Sequence, residues 1–249
     1  MAFALDHVVI AVSDLDRAVA DYQSLGFTVY PGGVHHGGVS HNALIVFEDG
    51  CYFEIIAYRK QAPANRWWRV LTTAGEGIVD FAILPDNTER DLEAARARGL
   101  QLDGPAPGGR LRLDGVRLDW QIVRSTTTDL PFWCGDVTPR KLRVPEGAIR
   151  HHANGATGIS RVRILVADLA TSTARYRALV GPDAVGLDKD VVRIDLEKTV
   201  FELVGPENDH ARRRLAARGE GVSSLELRGS AAKAFDPKLL HGAELAIVA

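Results

Sequence analysis

Two cysteines and one methionine in 249 residues leave the chain little sulfur chemistry. Cys51 and Cys134 do not make a disulfide framework, and no CxxC pair occurs. That excludes a zinc-cysteine scaffold and a thioredoxin-like exchanger, and it favours a reducing cytoplasm. A surplus of either charge is also missing: 30 Lys and Arg stand against 32 Asp and Glu, for a net charge of −2 and a pI near 6.4. Nothing therefore marks a nucleic-acid or anionic-membrane partner, and Arg212-Arg213-Arg214 reads as one solvated helix face. No apolar run approaches the roughly 20 residues of a membrane span. The start, Met1-Ala2-Phe3-Ala4-Leu5-Asp6, meets an acid before any basic region, unlike a signal peptide. No P-loop, dinucleotide fingerprint or serine-nucleophile elbow is present. What remains is ordinary globular composition, 46% apolar and 25% charged, long enough for one large domain or two smaller ones.

The pattern of that composition is repetitive. Residues 4–12 alternate as a strand, with Val8, Ile10 and Val12 on one side and His7, Val9 and Ala11 on the other. Asp14 is placed to cap a helix in which Leu15, Val19, Tyr22 and Leu25 recur at helical spacing, ending at Gly26. Phe27 to Tyr30 reads as a second strand broken by Pro31-Gly32-Gly33. Ala43 to Phe47 and Cys51 to Tyr58 read as a hairpin about Glu48-Asp49-Gly50. The first unit is thus β-α-β-β-β. Residues 59–74 form a connector, and a second unit follows: a strand over 78–84, a helix over 88–98 and a hairpin over 110–123 turning at Asp114-Gly115. Asp14, Leu15 and Tyr22 recur as Asp168, Leu169 and Tyr176, all at an offset of 154, and Gly75-Glu76-Gly77 recurs as Gly219-Glu220-Gly221. Four related units in two pairs follow from this. The first pair spans residues 1–124 (units 4–58 and 75–124). A bridge covers 125–156, and a second, degenerate pair spans 157–249 (units 157–206 and 219–249).

The first pair holds the candidate chemistry. His7 is the one titratable inward residue of its strand. Glu54 sits within Tyr52-Phe53-Glu54-Ile55-Ile56-Ala57, where an ionised carboxylate needs a partner or a metal. Sliding the first unit over the second puts Asp80 at the position of His7 and Gln121 at that of Glu54. His7 and Glu54 read either as a buried hydrogen-bonded pair or as metal ligands. Asp80 reads as a third ligand or as a strand-start cap, and Gln121 as a neutral oxygen donor. His35, His36 and His41 crowd a Gly-rich loop, from which His36 or His41 could reach the barrel mouth as an acid/base. His152 reads as structural. Trp120 and Gln121 should face opposite sides of their strand. Arg161 reads as half of an ion pair or as a carboxylate binder.

Asp6-His7, Asp14-Leu15, Leu25-Gly26-Phe27, Pro31 to His35, Asn42-Ala43-Leu44 and Tyr52-Phe53-Glu54 together resemble the glyoxalase-like domain proteins of the vicinal oxygen chelate superfamily. Leu130-Pro131-Phe132 and residues 152–156 resemble that group's bridge. The resemblance implies an α+β fold in which each pair of βαβββ units curls into a half-open barrel with flanking helices. It also implies a divalent metal (Mn, Fe, Ni, Zn or Mg) held at His7, Glu54, Asp80 and Gln121. The aligned positions of the second pair, Arg161, Glu202, Ser224 and Ala246, make a poor metal site. The chemistry implied is a metal-dependent lyase or isomerase that acts on a small oxygenated metabolite through an enediolate-type intermediate, with His36, His41 and Glu54 moving protons. Two rivals stand beside it. One is a non-catalytic small-molecule binder that sequesters its ligand. The other is a ring-cleaving dioxygenase, which needs a second histidine at the metal. A small-molecule partner is expected, and a homodimer is compatible with the sequence.

Overall fold

The computed structural model describes residues 3–188 and 191–249, apart from the side chains of His36 and Asp188. The first unit is β1 (Ala4–Ala11), α1 (Leu15–Ser24), β2 (Tyr30–His35), β3 (Ser40–Val46) and β4 (Tyr52–Tyr58). A helix, α2 (Arg66–Ala74), fills the expected connector and is capped by the Asn65 side chain. The second unit is β5 (Gly77–Leu84), α3 (Thr88–Ala97), β6 (Leu102–Leu111), β7 (Arg117–Ser125) and β8 (Phe132–Asp136), followed by the short α4 (Arg140–Arg143). The third is β9 (Ala156–Leu165), α5 (Leu169–Val180), β10 (Val185–Asp188), β11 (Val191–Asp195) and β12 (Val200–Val204). After α6 (Asp209–Arg218) the shortened fourth unit contributes β13 (Gly221–Gly229), β14 (Lys233–Ala234) and β15 (Leu245–Val248).

The first two units form one closed barrel in the order β1-β4-β3-β2-β6-β7-β8-β5, and the last two form a seven-stranded open sheet, β10-β11-β12-β9-β13-β15-β14. The barrel closes where Val34 and His35 of β2 pair with Leu111 and Arg110 of β6.

The structure corrects two expectations about the strands. Part of the expected bridge is β8, which joins the barrel between β7 and β5. Pro31-Gly32-Gly33 does not break a strand but lies inside β2, where the register with β3 slips between Pro31 and Gly33. A bulge tolerates both a proline, which cannot donate to the ladder, and a glycine. Glycine is required at position 32, because a Cβ there would fall 2.0 Å from Asn42 Oδ1.

The repeated motifs hold the units together in matching ways. Asp14 and Asp168 accept from the backbone N–H groups of Arg17 and Thr171, at 3.0 and 2.7 Å. Each cap contributes about 1 kcal/mol. The Glu of each Gly-Glu-Gly repeat binds the residue just before that cap: Ser13 N–H donates to Glu76 (2.7 Å) and Ala167 N–H to Glu220 (2.8 Å). Tyr22 of α1 reaches across to donate to the Leu240 carbonyl, and Tyr176 of α5 donates to that of Asp129. One apolar core runs through both halves, with Phe81 of β5 edge-on to Phe201 of β12. No helix among the described residues is long and apolar enough to cross a membrane.

Candidate functional site

The alternation of β1 holds. Val8 and Ile10 enter the main core, while Val9 and Ala11 line the barrel with Ile56, Val79, Ala82, Phe132 and Cys134. A bulge between Leu5 and His7 breaks the alternation at one place. It brings the neighbouring side chains of Asp6 and His7 together, Asp6 Oδ2 lying 2.6 Å from His7 Nδ1. Asp6 is wholly buried and is held by Arg140 (2.5 Å) and Arg143 (2.8 Å) from α4. Arg143 also donates to Asp136 and to the Tyr52 hydroxyl. His7 stacks on the Tyr52 ring at 4.7 Å and meets Phe132 edge-on.

Opposite His7 stands Glu54. Its Oε1 accepts from Asn42 Nδ2 at 2.6 Å and lies 3.2 Å from His35 Nε2, and its Oε2 lies 3.5 Å from His7 Nε2. His35 Nδ1 is 3.0 Å from the Ser40 hydroxyl. Burial would raise the Asp6 pKa, but Arg143, Arg140 and His7 hold it well below its ordinary 3.8. Burial would likewise raise that of Glu54, yet His35 and His7 keep it well below 4.5. For His7 burial acts downward, and Asp6 and Glu54 overcome it to raise the value above 6.5. His7 thus sits between two carboxylates that favour its charged form.

These groups form the floor of a cavity of about 230 Å³. Its walls include Ile56, Trp67, Trp120, Ile122 and Phe132. A second cavity of about 350 Å³, lined by Arg66, Asp80 and the Ser125 to Thr128 segment, shares Asn65, Trp67, Arg124 and Phe132 with the first.

The residues named from sequence are only partly brought together. His7 and Glu54 meet. Asp80 matches His7 in register, since His7 pairs with Ala82 while Val9 pairs with Asp80. Its carboxylate nevertheless turns to Arg66 (2.8 Å) and to the indole N–H of Trp67 (2.6 Å), in the second cavity. Gln121 is corrected. It lies on β7, the third strand of its unit, on the face opposite the cavity-lining Trp120 and Ile122. The residue equivalent to Glu54 is Phe132: Glu54 pairs with Val9, and Phe132 pairs with Ala82. His41 does not line the cavity, because its strand turns Asn42 toward Glu54 instead. The side chain of His36 lies outside the described residues. His35 reaches the site. It was visible as a loop histidine, but its advantage over its neighbours depends on the β2–β6 closure. His152 is structural, accepting from Thr28 N–H at 3.0 Å, and burial lowers its pKa to about 4. Arg161 pairs with Glu202 (3.0 Å) and Glu226 (2.9 Å).

A metal at the four strand positions does not fit these residues. Asp80 is engaged elsewhere, and Phe132 offers no donor. Among the described residues no group of three or more His, Cys, Asp and Glu is arranged to hold a metal ion.

A family model described as a glyoxalase-like domain matches residues 5–180. The chain belongs to this family. With it comes membership of the vicinal oxygen chelate superfamily, whose paired βαβββ units are the ones seen here. No curated protein matches the chain. Among solved structures, a hypothetical protein from Staphylococcus aureus is similar over 99% of both chains, at 12% identity and a TM-score of 0.77. A mutant 4-hydroxymandelate synthase from Streptomyces coelicolor aligns with 90% of this chain and 70% of its own, at 14% identity and a TM-score of 0.60. A fusion of a xylose isomerase-like TIM barrel with a 4-hydroxyphenylpyruvate dioxygenase aligns with 93% of this chain and 38% of its own, at 16% identity and a TM-score of 0.56. At such identities the likeness is one of fold.

Proposed function

We propose that the barrel of this glyoxalase-like protein is an enzyme active site that moves a proton next to a carbonyl group of a small oxygenated molecule, as a lyase or isomerase does. The observation that carries this reading is the 3.5 Å separation of His7 Nε2 and Glu54 Oε2 at the floor of the cavity, an imidazole facing a carboxylate across a gap slightly too long for a tight hydrogen bond. A substrate carbonyl oxygen accepting from His7 Nε2–H would meet a donor whose charged form Asp6 and Glu54 favour, where an enediolate oxygen develops. Asp6 holds the imidazole from behind, and Arg140 and Arg143 anchor Asp6. Glu54 is the base. Its proton affinity is held down in part by His7, and a substrate oxygen that takes His7's hydrogen bond relieves that restraint. His35, on the other oxygen of Glu54 and one-fifth exposed, is the route by which the proton leaves toward Ser40 and solvent.

The test is hydrogen exchange at carbon. Small α-hydroxy carbonyl compounds, beginning with hydroxyacetone and lactaldehyde, are incubated with the enzyme in D2O and followed by NMR. The reading expects deuterium incorporation faster than in buffer, lost in Glu54→Gln and kept after chelator treatment. Exchange that vanishes with chelator and returns with Mn, Ni or Zn would replace this metal-free step by a metal-dependent one. No exchange with any compound, together with tight binding that survives Glu54→Gln, would make the protein a binder.

A further inference from the structure

The inner cavity is apolar above its floor, and its volume equals that of roughly eight water molecules, which suits one small flat ligand. The charges around the two cavities are almost all answered. Arg143 is neutralised by Asp6 and Asp136, and Arg66 by Asp80. Arg124 differs. It is an exposed residue that lines both cavities at their shared wall, and among the described residues its side chain has no hydrogen-bond or ion-pair partner. Its guanidinium lies 5.3 Å from the centre of the Phe132 ring and 5.7 Å from that of Trp67, so two aromatic faces draw this exposed side chain toward the cavity wall without cancelling its charge. A guanidinium placed in this way presents paired N–H donors to a planar anion, and carboxylate is the group that matches such a fork.

We infer that Arg124 is the substrate's anion-binding residue, so that the site takes a monocarboxylate with a flat apolar middle. The carboxylate sits at the neck on Arg124. The body lies between Trp120, Ile122 and Phe132, and the oxygenated far end meets His7 and Glu54. This rests on the reading of the barrel as a ligand site, but it does not need the proton-transfer step.

The experiment uses the full chain and two probes of one shape, 3-phenylpropanoate and its neutral amide, with binding followed by tryptophan fluorescence and by ligand-observed NMR. The carboxylate should bind at least tenfold more tightly than the amide, and Arg124→Gln should remove that preference while leaving the amide's affinity unchanged. Arg124→Lys should restore only part of it. Equal binding of the two probes to the wild type, or a preference that survives Arg124→Gln in a folded protein, would overturn the assignment. Glu54→Gln separates this inference from the chemistry. If it abolishes deuterium exchange but keeps the carboxylate preference, both stand. If the preference is present and no compound exchanges, only the proton-transfer reading has failed.

Discussion

Glu54 in the barrel and Glu202 in the open sheet occupy the same place in their units, each on the strand that runs parallel beside the unit's first strand. Their neighbours differ. Glu54 faces the imidazoles of His7 and His35, whereas Glu202 faces the guanidiniums of Arg161 (3.0 Å) and Arg163 (3.2 Å). Arginine stays charged at any working pH, so the open sheet's ion pairs are permanent. Histidine can give up its proton, and in the barrel His7, His35 and Glu54 together line a cavity. The duplication made two scaffolds, and the exchange of Arg for His at one strand position separates a permanent ion pair from a titratable one.

Removing the anchor that only the barrel has should have the largest effect. Arg143→Met leaves Asp6 and Asp136 without their buried cation, and the unfolding free energy should fall by about 3–5 kcal/mol in urea titration. A loss below about 1 kcal/mol would mean that Arg140 alone suffices. The two glutamates come next. Glu54→Gln should lower the rate of deuterium exchange by roughly 10²–10⁴-fold, while Glu202→Gln leaves it unchanged. Equal losses would show that the second half takes part in the reaction.

The barrel's charges also predict a pH profile. Asp6 and Glu54, held below 3.8 and 4.5, add stability that is complete above those values and is lost as the pH falls through their depressed ones. His7 is raised above 6.5, so its contribution is complete below pH 6.5 and is lost as the pH rises toward its raised value. His152, lowered to about 4, works the other way, adding stability that is complete above pH 6.5 and is lost as the pH falls toward 4, so stability should peak near pH 6.5 and decline above it, by at most about 1.4 kcal/mol per pH unit from His7. Urea titrations at pH 6 and pH 8.5 should show the decline in the wild type and a flatter response in His7→Gln. The smallest effect belongs to the open sheet. Arg161→Gln breaks two pairs at a one-third exposed side chain and should cost about 1 kcal/mol. It should leave ligand binding and exchange unaltered.

The site was partly legible in the chain. The period-two pattern of residues 4–12 assigns His7 to the barrel side, and a glutamate inside an apolar strand announces a buried charge in need of partners. Both follow from local chemistry, because side chains alternate along any strand and a buried carboxylate must be satisfied. The repeats at constant offset likewise reveal the duplicated architecture, and the caps at Asp14 and Asp168 form as residue type and position dictate. Other features had no local signal. Phe132, not Gln121, faces Glu54 across the duplication, because β8 was hidden among residues that read as a bridge. Asp80 turns to Arg66 and Trp67 because α2 forms beside it. His35 reaches Glu54 because β2 closes on β6, and Asp6 joins His7 through a bulge. Each of these depends on which distant strand lies alongside and in what register. Such pairings are settled by the packing of the whole barrel, so residues near one another in sequence do not record them.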